Sequence, residues 1–149
     1  MSQSGTYILL LHLPLDTPLQ IGKLGKFNFL SGFYAYVGSA FGSGGLAGRL
    51  KHHLSPVKKP HWHIDYFRTT AHVQEVWLSA HNTHREHDWA DLLLAIPGAS
   101  ILVDKFGASD CQCDSHLIYF ELKPDIEDFI ILSQHRFPND IVIKTFNKY

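Results

Sequence analysis

The order of hydrophobic and polar residues along the chain predicts a small β-sheet with helices packed against it. Residues 7–13 are apolar on both faces, which is typical of a central strand covered on both sides. Residues 33–38 form a second apolar segment, and we expect it to pair antiparallel with the first. The intervening residues 14–32 contain several Pro and Gly residues, which predict an irregular excursion with a short edge strand near residues 27–30.

Three helices are predicted from the spacing of apolar residues and from the residues that end each segment. They cover residues 46–54, 84–96 and 124–134. Further strands are predicted at residues 71–79, 117–122 and 141–146. The whole chain, residues 1–149, is therefore expected to form one α+β domain. Its small central, mainly antiparallel β-sheet would be flanked by helices, with an extra C-terminal helix and strand.

Composition excludes several classes of protein. Hydrophobic residues make up 45% of the chain and charged residues 18%, which is typical of globular rather than disordered proteins. No apolar run reaches the ~18 residues that a membrane-spanning helix needs, so no membrane partner is expected. No basic and then apolar segment typical of a secretory signal opens the chain. With only two cysteines, a reducing, cytoplasmic setting is expected.

Positive charge is concentrated in one segment, although the net charge is −1. A surface that is basic throughout, as in proteins that coat nucleic acids, is therefore excluded. Residues 49–68 nevertheless carry two Arg and three Lys against a single Asp, which favours a local surface for phosphate groups. An ordinary solvated charge cluster is the alternative. The candidate nucleic-acid-binding residues are Lys51, Lys58, Lys59, His61 and His63.

Two segments offer residue types that bind metal ions. In an extended strand the alternating residues His61, His63 and Asp65 would share one face, where two imidazoles and a carboxylate suit a metal ion. A polar strand face is the alternative. The second, less favoured set consists of Cys111, Cys113 and His116. Its spacing is tight for zinc, and buried thiols at a strand end are the alternative.

Helical spacing groups two further residues and leaves the role of a third open. Arg49 and His53 are four residues apart, so they lie on one face of the first predicted helix about one turn apart. Glu86 falls on the apolar face of the second predicted helix, where an unpaired carboxylate is costly. Its spacing from Thr83 fits a capping box, and its position fits a ligand that points into a site equally well.

Five short features occur in a fixed order along the chain. Gly5-Thr6-Tyr7 lies at the start of the first predicted strand, and Tyr36-Val37-Gly38 lies at the end of the second. Arg49 and His53 follow on the first helix, and Glu86 follows on the second. In this order they resemble the GIY-YIG nuclease superfamily, and more closely its Uri-type stand-alone endonuclease domains. The resemblance covers about residues 5–120 and leaves residues 121–149 as a C-terminal extension.

The resemblance implies a role for each of five residues. Glu86 would hold one Mg²⁺ or Mn²⁺ ion, and Arg49 would stabilise the negative charge that builds on the phosphate. Tyr36 would orient or deprotonate the attacking water, helped by a cation that lowers the pKa of its hydroxyl. Tyr7 would hydrogen-bond within the same network, and His53 would assist proton transfer because imidazole titrates near neutral pH. The alternative roles are structural: Tyr7 and Tyr36 would be ordinary aromatic residues of strands, Arg49 would be a surface residue of the helix, and His53 would lie at the helix end.

The implied function is that of a metal-dependent endonuclease that hydrolyses phosphodiester bonds in branched, damaged or single-stranded DNA, as in repair or recombination. Two other functions stay open. A non-catalytic module with the same fold would bind nucleic acid in a salt-dependent way without cleaving it. A zinc-stabilised interaction domain would use Cys111, Cys113 and His116 or the histidines of residues 61–65.

Overall fold

A five-stranded antiparallel sheet organises the computed structural model, which describes residues 3–108 and 114–147. The strands are β1 (Gly5–Leu13), β2 (Thr17–Ile21), β3 (Gly25–Phe29), β4 (Gly32–Ala40), β5 (His72–Ala80), β6 (Leu117–Phe120) and β7 (Ile143–Asn147). The helices are α1 (Gly45–Leu54), α2 (His63–Phe67), α3 (Glu86–Leu94) and α4 (Ile126–Arg136). In space the sheet runs in the order β6–β4–β1–β5–β7, and β2 pairs with β3 in a separate hairpin. The α+β class and the central antiparallel sheet are confirmed.

Strand β1 lies at the centre of the sheet because its side chains are apolar on both faces. All of its residues from Gly5 to Leu11 are buried. It pairs antiparallel with β4 on one side and with β5 on the other, so that Tyr7 lies opposite both Gly38 and Leu78. The predicted central strand and its predicted antiparallel partner are both confirmed.

Two hydrophobic cores lie on opposite faces of the sheet because successive side chains of β1 alternate in direction. Tyr7 and Leu9 belong to the core beneath α1, α2 and the β2–β3 hairpin. Ile8 and Leu10 belong to the core beneath α3 and α4. The fold therefore has three layers, and the C-terminal helix α4 completes one of them.

Residues 17–29 form a regular β-hairpin, so the irregular excursion expected for residues 14–32 was wrong, whereas the short strand expected near residues 27–30 corresponds to β3. Strands β2 and β3 pair along their whole length around a short 3-10 helix at Gly22–Leu24. Gly22 and Gly25 have φ angles of 48° and 129°, which residues with a side chain rarely adopt. The glycines that suggested irregular structure therefore build the turn of this hairpin.

Helix α2 replaces the extended segment that the alternation of His61, His63 and Asp65 predicted. The Asp65 carboxylate accepts hydrogen bonds from the backbone N–H groups of His61 (2.8 Å) and Trp62 (2.9 Å). These bonds satisfy donors at the start of the helix, where no backbone acceptor is available. The three side chains do not share one face, since Asp65 is fully buried and His61 is exposed.

The other helices begin and end close to the predicted positions. Helix α3 has Arg85 at its N-cap position and no side-chain cap, so Thr83 and Glu86 do not form the capping box. Helix α4 has Asp125 at its N-cap position, and this side chain accepts a hydrogen bond from the backbone N–H of Glu127. Glu86 is therefore not engaged as a cap.

A buried carboxylate on β5 is neutralised from the C-terminal part of the chain. Glu75 Oε1 accepts a hydrogen bond from Trp77 Nε1 at 3.0 Å, and Glu75 Oε2 lies 2.6 Å from Lys123 Nζ. Burial alone would raise the pKa of this carboxyl, but the hydrogen bonds from Lys123 and Trp77 outweigh it and hold the pKa below its ordinary value. Lys123 therefore stabilises the folded state through Glu75.

Replacement of Lys123 by Met is expected to lower the free energy of unfolding by about 1–3 kcal/mol at neutral pH, because the Glu75 carboxylate stays buried without its cation. A carboxyl whose pKa is lowered by folding stabilises the fold above its unfolded-state pKa, and this contribution is lost as the pH falls through the folded-state pKa. Urea unfolding should therefore show the difference shrinking below about pH 4. Lys26→Met, on the exposed hairpin, is the control, and a pH-independent difference would contradict the role of Glu75.

Candidate active site

Tyr7, His53 and Arg49 form a hydrogen-bonded group where β1 faces α1. The Tyr7 hydroxyl lies 2.8 Å from His53 Nε2, and Arg49 acts on the same hydroxyl through its charge and a hydrogen bond. Burial raises the pKa of Tyr7 well above its usual value, although Arg49 opposes this, so the hydroxyl stays protonated at neutral pH. The tautomer of His53 decides whether the Tyr7 O–H donates to Nε2 or its oxygen accepts from Nε2–H.

Glycine residues make room for the two tyrosines. A Cβ at Gly38 would lie 2.3 Å from the Tyr7 hydroxyl oxygen, so the ring of Tyr7 can lie across β4 only where β4 carries no side chain. Gly107 has a φ angle of 65°, and a Cβ there would lie 3.0 Å from the Tyr36 ring. Gly38 of the second motif is therefore needed for Tyr7 of the first motif to pack in this position.

Arg49 is held in place by two neighbours on different elements. One guanidinium nitrogen, Nη1, donates to the backbone oxygen of Ser39 at 3.1 Å, just beyond the Tyr36-Val37-Gly38 motif. The guanidinium carbon lies 4.5 Å from the centre of the Trp62 ring, in a cation–π contact. A half-buried arginine fixed in this way is preorganised to bind an anion.

Tyr36 lies beside this group but is more deeply enclosed than expected for a base. Its ring packs against His53 and Phe106, with ring centres 6.3 Å and 6.2 Å away. Burial, and then the neighbouring Tyr7, raises the pKa of Tyr36, and Arg49 lowers it by less. Arg49 alone therefore does not give Tyr36 the lowered pKa that was expected from a cation, because burial outweighs its charge, and the same effect from a bound metal ion stays a prediction.

His53 is a neutral hydrogen-bond partner rather than a group that titrates near neutral pH. Burial, and then the positive charge of Arg68, lowers the pKa of His53 to about 3. The expectation of proton transfer by an imidazole that titrates near neutrality was therefore wrong. Its Nε2 is occupied by Tyr7, whereas its Nδ1 is buried without a hydrogen-bond partner.

Glu86 opens α3, and its charge acts on the same two tyrosines as that of Arg49. Its side chain is 24% exposed, and Oε1 lies 4.0 Å from His87 Nε2. The negative charge of Glu86 raises the pKa of Tyr7 and of Tyr36, while Arg49 lowers both. The structure therefore brings Tyr7, Tyr36, Arg49, His53 and Glu86 to one place, with a carboxylate and a guanidinium acting on the same two hydroxyls.

An open basic groove runs beside α1, next to this group. It has a volume of about 670 Å³ and passes between α1 and the loop that precedes α2. Its basic lining residues are Lys51, Lys58, Lys59 and Arg68. Three of the predicted nucleic-acid-binding residues therefore line one surface, and Arg68 joins them.

The two other predicted nucleic-acid-binding residues lie elsewhere. His63 Nδ1 accepts a hydrogen bond from the backbone N–H of Gly107 at 2.8 Å, and its ring packs against Phe106. This contact gives His63 a structural role, because it holds the loop beside Tyr36. His61 is exposed and contacts the edge of Trp62.

His52, Asp65 and Arg68 are neighbours of the group that the sequence did not identify together. Asp65 Oδ1 lies 3.0 Å from His52 Nε2 and 3.9 Å from Arg68 Nη1. Burial opposes ionisation, but hydrogen bonds from the backbone N–H groups at the start of α2 and from His52 hold the pKa of Asp65 below its ordinary value. The one available signal was the i, i+3 spacing of Asp65 and Arg68, which suits a helix.

The predicted Cys and His set falls mostly outside the described residues. Cys111 and Cys113 lie outside them, so a zinc set of these two cysteines with His116 stays a prediction. His116 itself is buried at the start of β6, and burial lowers its pKa. Its ring centre lies 5.8 Å from that of His87, on the side of the site that holds Glu86.

The fold and this site define an α+β domain in which paired tyrosines, an arginine and a glutamate meet at one end of the central sheet. A family model described as "Domain of unknown function DUF123" matches residues 6–138, and the chain belongs to this family. The match extends through α4, which the motif resemblance did not cover. No curated protein and no solved structure matches the chain. No helix within residues 3–108 and 114–147 is long and apolar enough to span a membrane.

Proposed function

We propose that this protein is a GIY-YIG-type, metal-dependent endonuclease that hydrolyses phosphodiester bonds in DNA. The observation that carries the proposal is the packing of Tyr7 and Tyr36 around His53, with Arg49 held one turn away on the same helix. The charge of Glu86 acts on both tyrosine hydroxyls and supports this grouping. Phosphodiester hydrolysis needs positive charge at the phosphate and an oriented water, and this site offers residues for both.

The residues around Glu86 fit a divalent cation. The Glu86 carboxylate does not cap the helix and is not deeply buried. This suits Mg²⁺ or Mn²⁺, because these ions bind through one or two carboxylates and keep several water ligands. A bound ion of this kind supplies positive charge beside the phosphate and lowers the pKa of water. Such help is needed here because neither Tyr7 nor Tyr36 is ionised at neutral pH.

The protein residues then bind and orient the reacting groups. Arg49 binds a non-bridging phosphate oxygen with the N–H groups that it does not direct at Ser39. Tyr7 and Tyr36 orient the attacking water through their protonated hydroxyls, rather than removing its proton. His53 fixes the Tyr7 hydroxyl in place through the hydrogen bond at its Nε2.

A cleavage screen tests this proposal. Labelled branched, abasic and single-stranded DNA would be incubated with the full chain in Mg²⁺, in Mn²⁺ and in excess chelator. Nicking is expected with a divalent ion, and removal of the ion by the chelator should abolish it. Absence of cleavage on every substrate with both ions, or cleavage that persists in chelator, would rule out the proposed function.

A nucleic-acid-binding module without catalysis is the second candidate, and the basic groove is the observation that favours it. Lys58 and Lys59 are both exposed on this groove. Replacing both by Ala should weaken binding to single-stranded DNA and reduce the salt dependence of log K by about 1.4, since each phosphate contact contributes about 0.7. Fluorescence anisotropy at several salt concentrations measures this slope.

A double variant at two lysines that do not line the groove provides the matched control. Lys23→Ala with Lys26→Ala removes the same charge from the β2–β3 hairpin, where both side chains are exposed. An equal loss of affinity in the two double variants would show that binding depends on net charge and not on the groove.

A further inference from the structure

A second cluster of metal-binding residue types lies beside the candidate active site, where α1 meets α2. One nitrogen of His52, one nitrogen of His53 and one oxygen of Asp65 lie within 4.8 Å of one another. Within residues 3–108 and 114–147 no other three His, Cys, Asp or Glu side chains come so close together. The cluster is buried on the side of His53 and Asp65, while the His52 side chain is 41% exposed and gives access from solvent.

His53 provides the observation that points to a ligand. Its Nδ1 is buried without a hydrogen-bond partner, and an unpaired polar atom in this position is costly. A cation on Nδ1 would satisfy this atom and leave the contact with Tyr7 in place. A neutral imidazole that binds metal through Nδ1 carries its proton on Nε2, which then donates to the Tyr7 oxygen.

Asp65 is already fixed in the orientation that a ligand needs. Its Oδ2 accepts the two backbone N–H groups of His61 and Trp62, at 2.8 Å and 2.9 Å. The other oxygen, Oδ1, faces His52 Nε2 at 3.0 Å, and both atoms can bind one ion. Hydrogen bonds that orient a ligand in this way are typical of built metal sites.

We propose that His52, His53 and Asp65 bind one zinc ion at a site separate from Glu86. Two imidazoles and one carboxylate form the donor set of open zinc sites, in which the fourth position is left to water. Magnesium is a poor fit because it prefers oxygen ligands. The ion would join α1 to α2 and fix the orientation of the His53 ring, which is hydrogen-bonded to Tyr7. This inference goes beyond the proposed nuclease function and does not depend on it.

Two positive side chains weaken the site without filling it. Arg68 Nη1 lies 3.9 Å from Asp65 Oδ1, and Arg49 lies over the neighbouring Trp62. Arg68 is directed mainly to backbone oxygens at the end of α1, those of His52 and Ser55. We therefore expect weaker zinc binding than in closed structural sites, which have four protein ligands.

Calorimetric titration of the metal-free full chain with zinc chloride tests the proposal. One zinc ion should bind, and His52→Gln should lower the affinity by at least about tenfold, as loss of even a supporting residue does. His61→Gln, which removes a neighbouring histidine outside the cluster, should leave the affinity unchanged. His52→Cys should bind zinc, because a thiolate is also a zinc ligand. This variant keeps the proposal testable if His52→Gln does not fold.

Two further measurements separate this site from other zinc-binding groups. Long-range ¹H–¹⁵N spectra of the histidine rings should place the metal on Nδ1 of His53. The double variant Cys111→Ser with Cys113→Ser should bind zinc as the wild type does. The proposal is overturned if the wild type binds no zinc, if His52→Gln binds it unchanged, or if the double cysteine variant loses it. No readout uses DNA cleavage, so these failures leave the nuclease proposal intact.

Discussion

Replacement of Arg49 by Ala is expected to lower the rate of DNA cleavage by about 10²–10³-fold, the usual effect of removing one donor that stabilises a transition state. Arg49 is held by Ser39 and Trp62 with its guanidinium directed at the tyrosine pair, so its loss removes a preorganised charge. Single-turnover cleavage with saturating protein measures this effect without a contribution from product release. The folded state should lose about 1–3 kcal/mol, the contribution of one hydrogen bond together with one cation–π contact.

Controls separate the loss of the charge from a general effect on the protein. Arg136→Ala removes an arginine from α4, where it pairs with Asp88 on the surface, and should leave cleavage unchanged. Glu86→Gln should impair cleavage as Arg49→Ala does, and the two effects should not add because the residues serve one site. A folded Arg49→Ala variant that cleaves at the wild-type rate would contradict the proposed role.

The parts of the fold that follow from local pattern could be predicted from the sequence. Residues 7–13 are apolar on both faces, and this pattern correctly indicated the central strand β1. The regular leucine spacing of residues 46–54 likewise indicated α1 within one residue. The short strand expected near residues 27–30 corresponds to β3, but its partner β2 could not be predicted, because Pro and Gly residues mark both irregular loops and tight turns.

Helix α2 shows how local hydrogen bonds to one side chain can override a sequence pattern. The alternation of residues 61–65 favours a strand, but hydrogen bonds from backbone N–H groups to the buried Asp65 favour a helix start. His52 then packs against Asp65 from a different helix. This contact depends on how α1 meets α2, so no spacing within either segment predicts it.

The residues of the candidate site were predictable, but their protonation was not. Arg49 and His53 are grouped by helical spacing, and the motif order grouped them with the tyrosines. The direction of each pKa shift depends on burial, which is a property of the whole fold. Considered without the fold, the residue types suggested a tyrosine whose pKa is lowered by a cation and a histidine that titrates near neutral pH. In the folded site both tyrosines are protonated and His53 is neutral at that pH.

Replacement of Gly38 by Ala is expected to destabilise the fold by about 3 kcal/mol or more, at the upper end for overpacked cores. The new Cβ would lie 2.3 Å from the Tyr7 hydroxyl oxygen and 2.4 Å from the adjoining ring carbon. The Tyr7 ring is fully buried, and Gly38 is itself paired with Tyr7 in the β1–β4 ladder, so neither the ring nor the strand can move aside easily. Displacement of the hydroxyl from His53 should also abolish cleavage. Urea unfolding and single-turnover cleavage measure the two effects.

A glycine on α1 gives the matched control, because its replacement should have the opposite sign. A Cβ at Gly48 meets nothing within 4 Å, and Ala in a helix interior is more stable than Gly by about 0.5–1 kcal/mol. Tyr7→Leu combined with Gly38→Ala should recover part of the lost stability but no cleavage, because the smaller side chain relieves the clash. If Gly38→Ala were as stable as the wild type, Gly38 would not be what seats Tyr7. If the double variant recovered nothing, the cost would lie in the β4 backbone rather than in the contact between the two motifs.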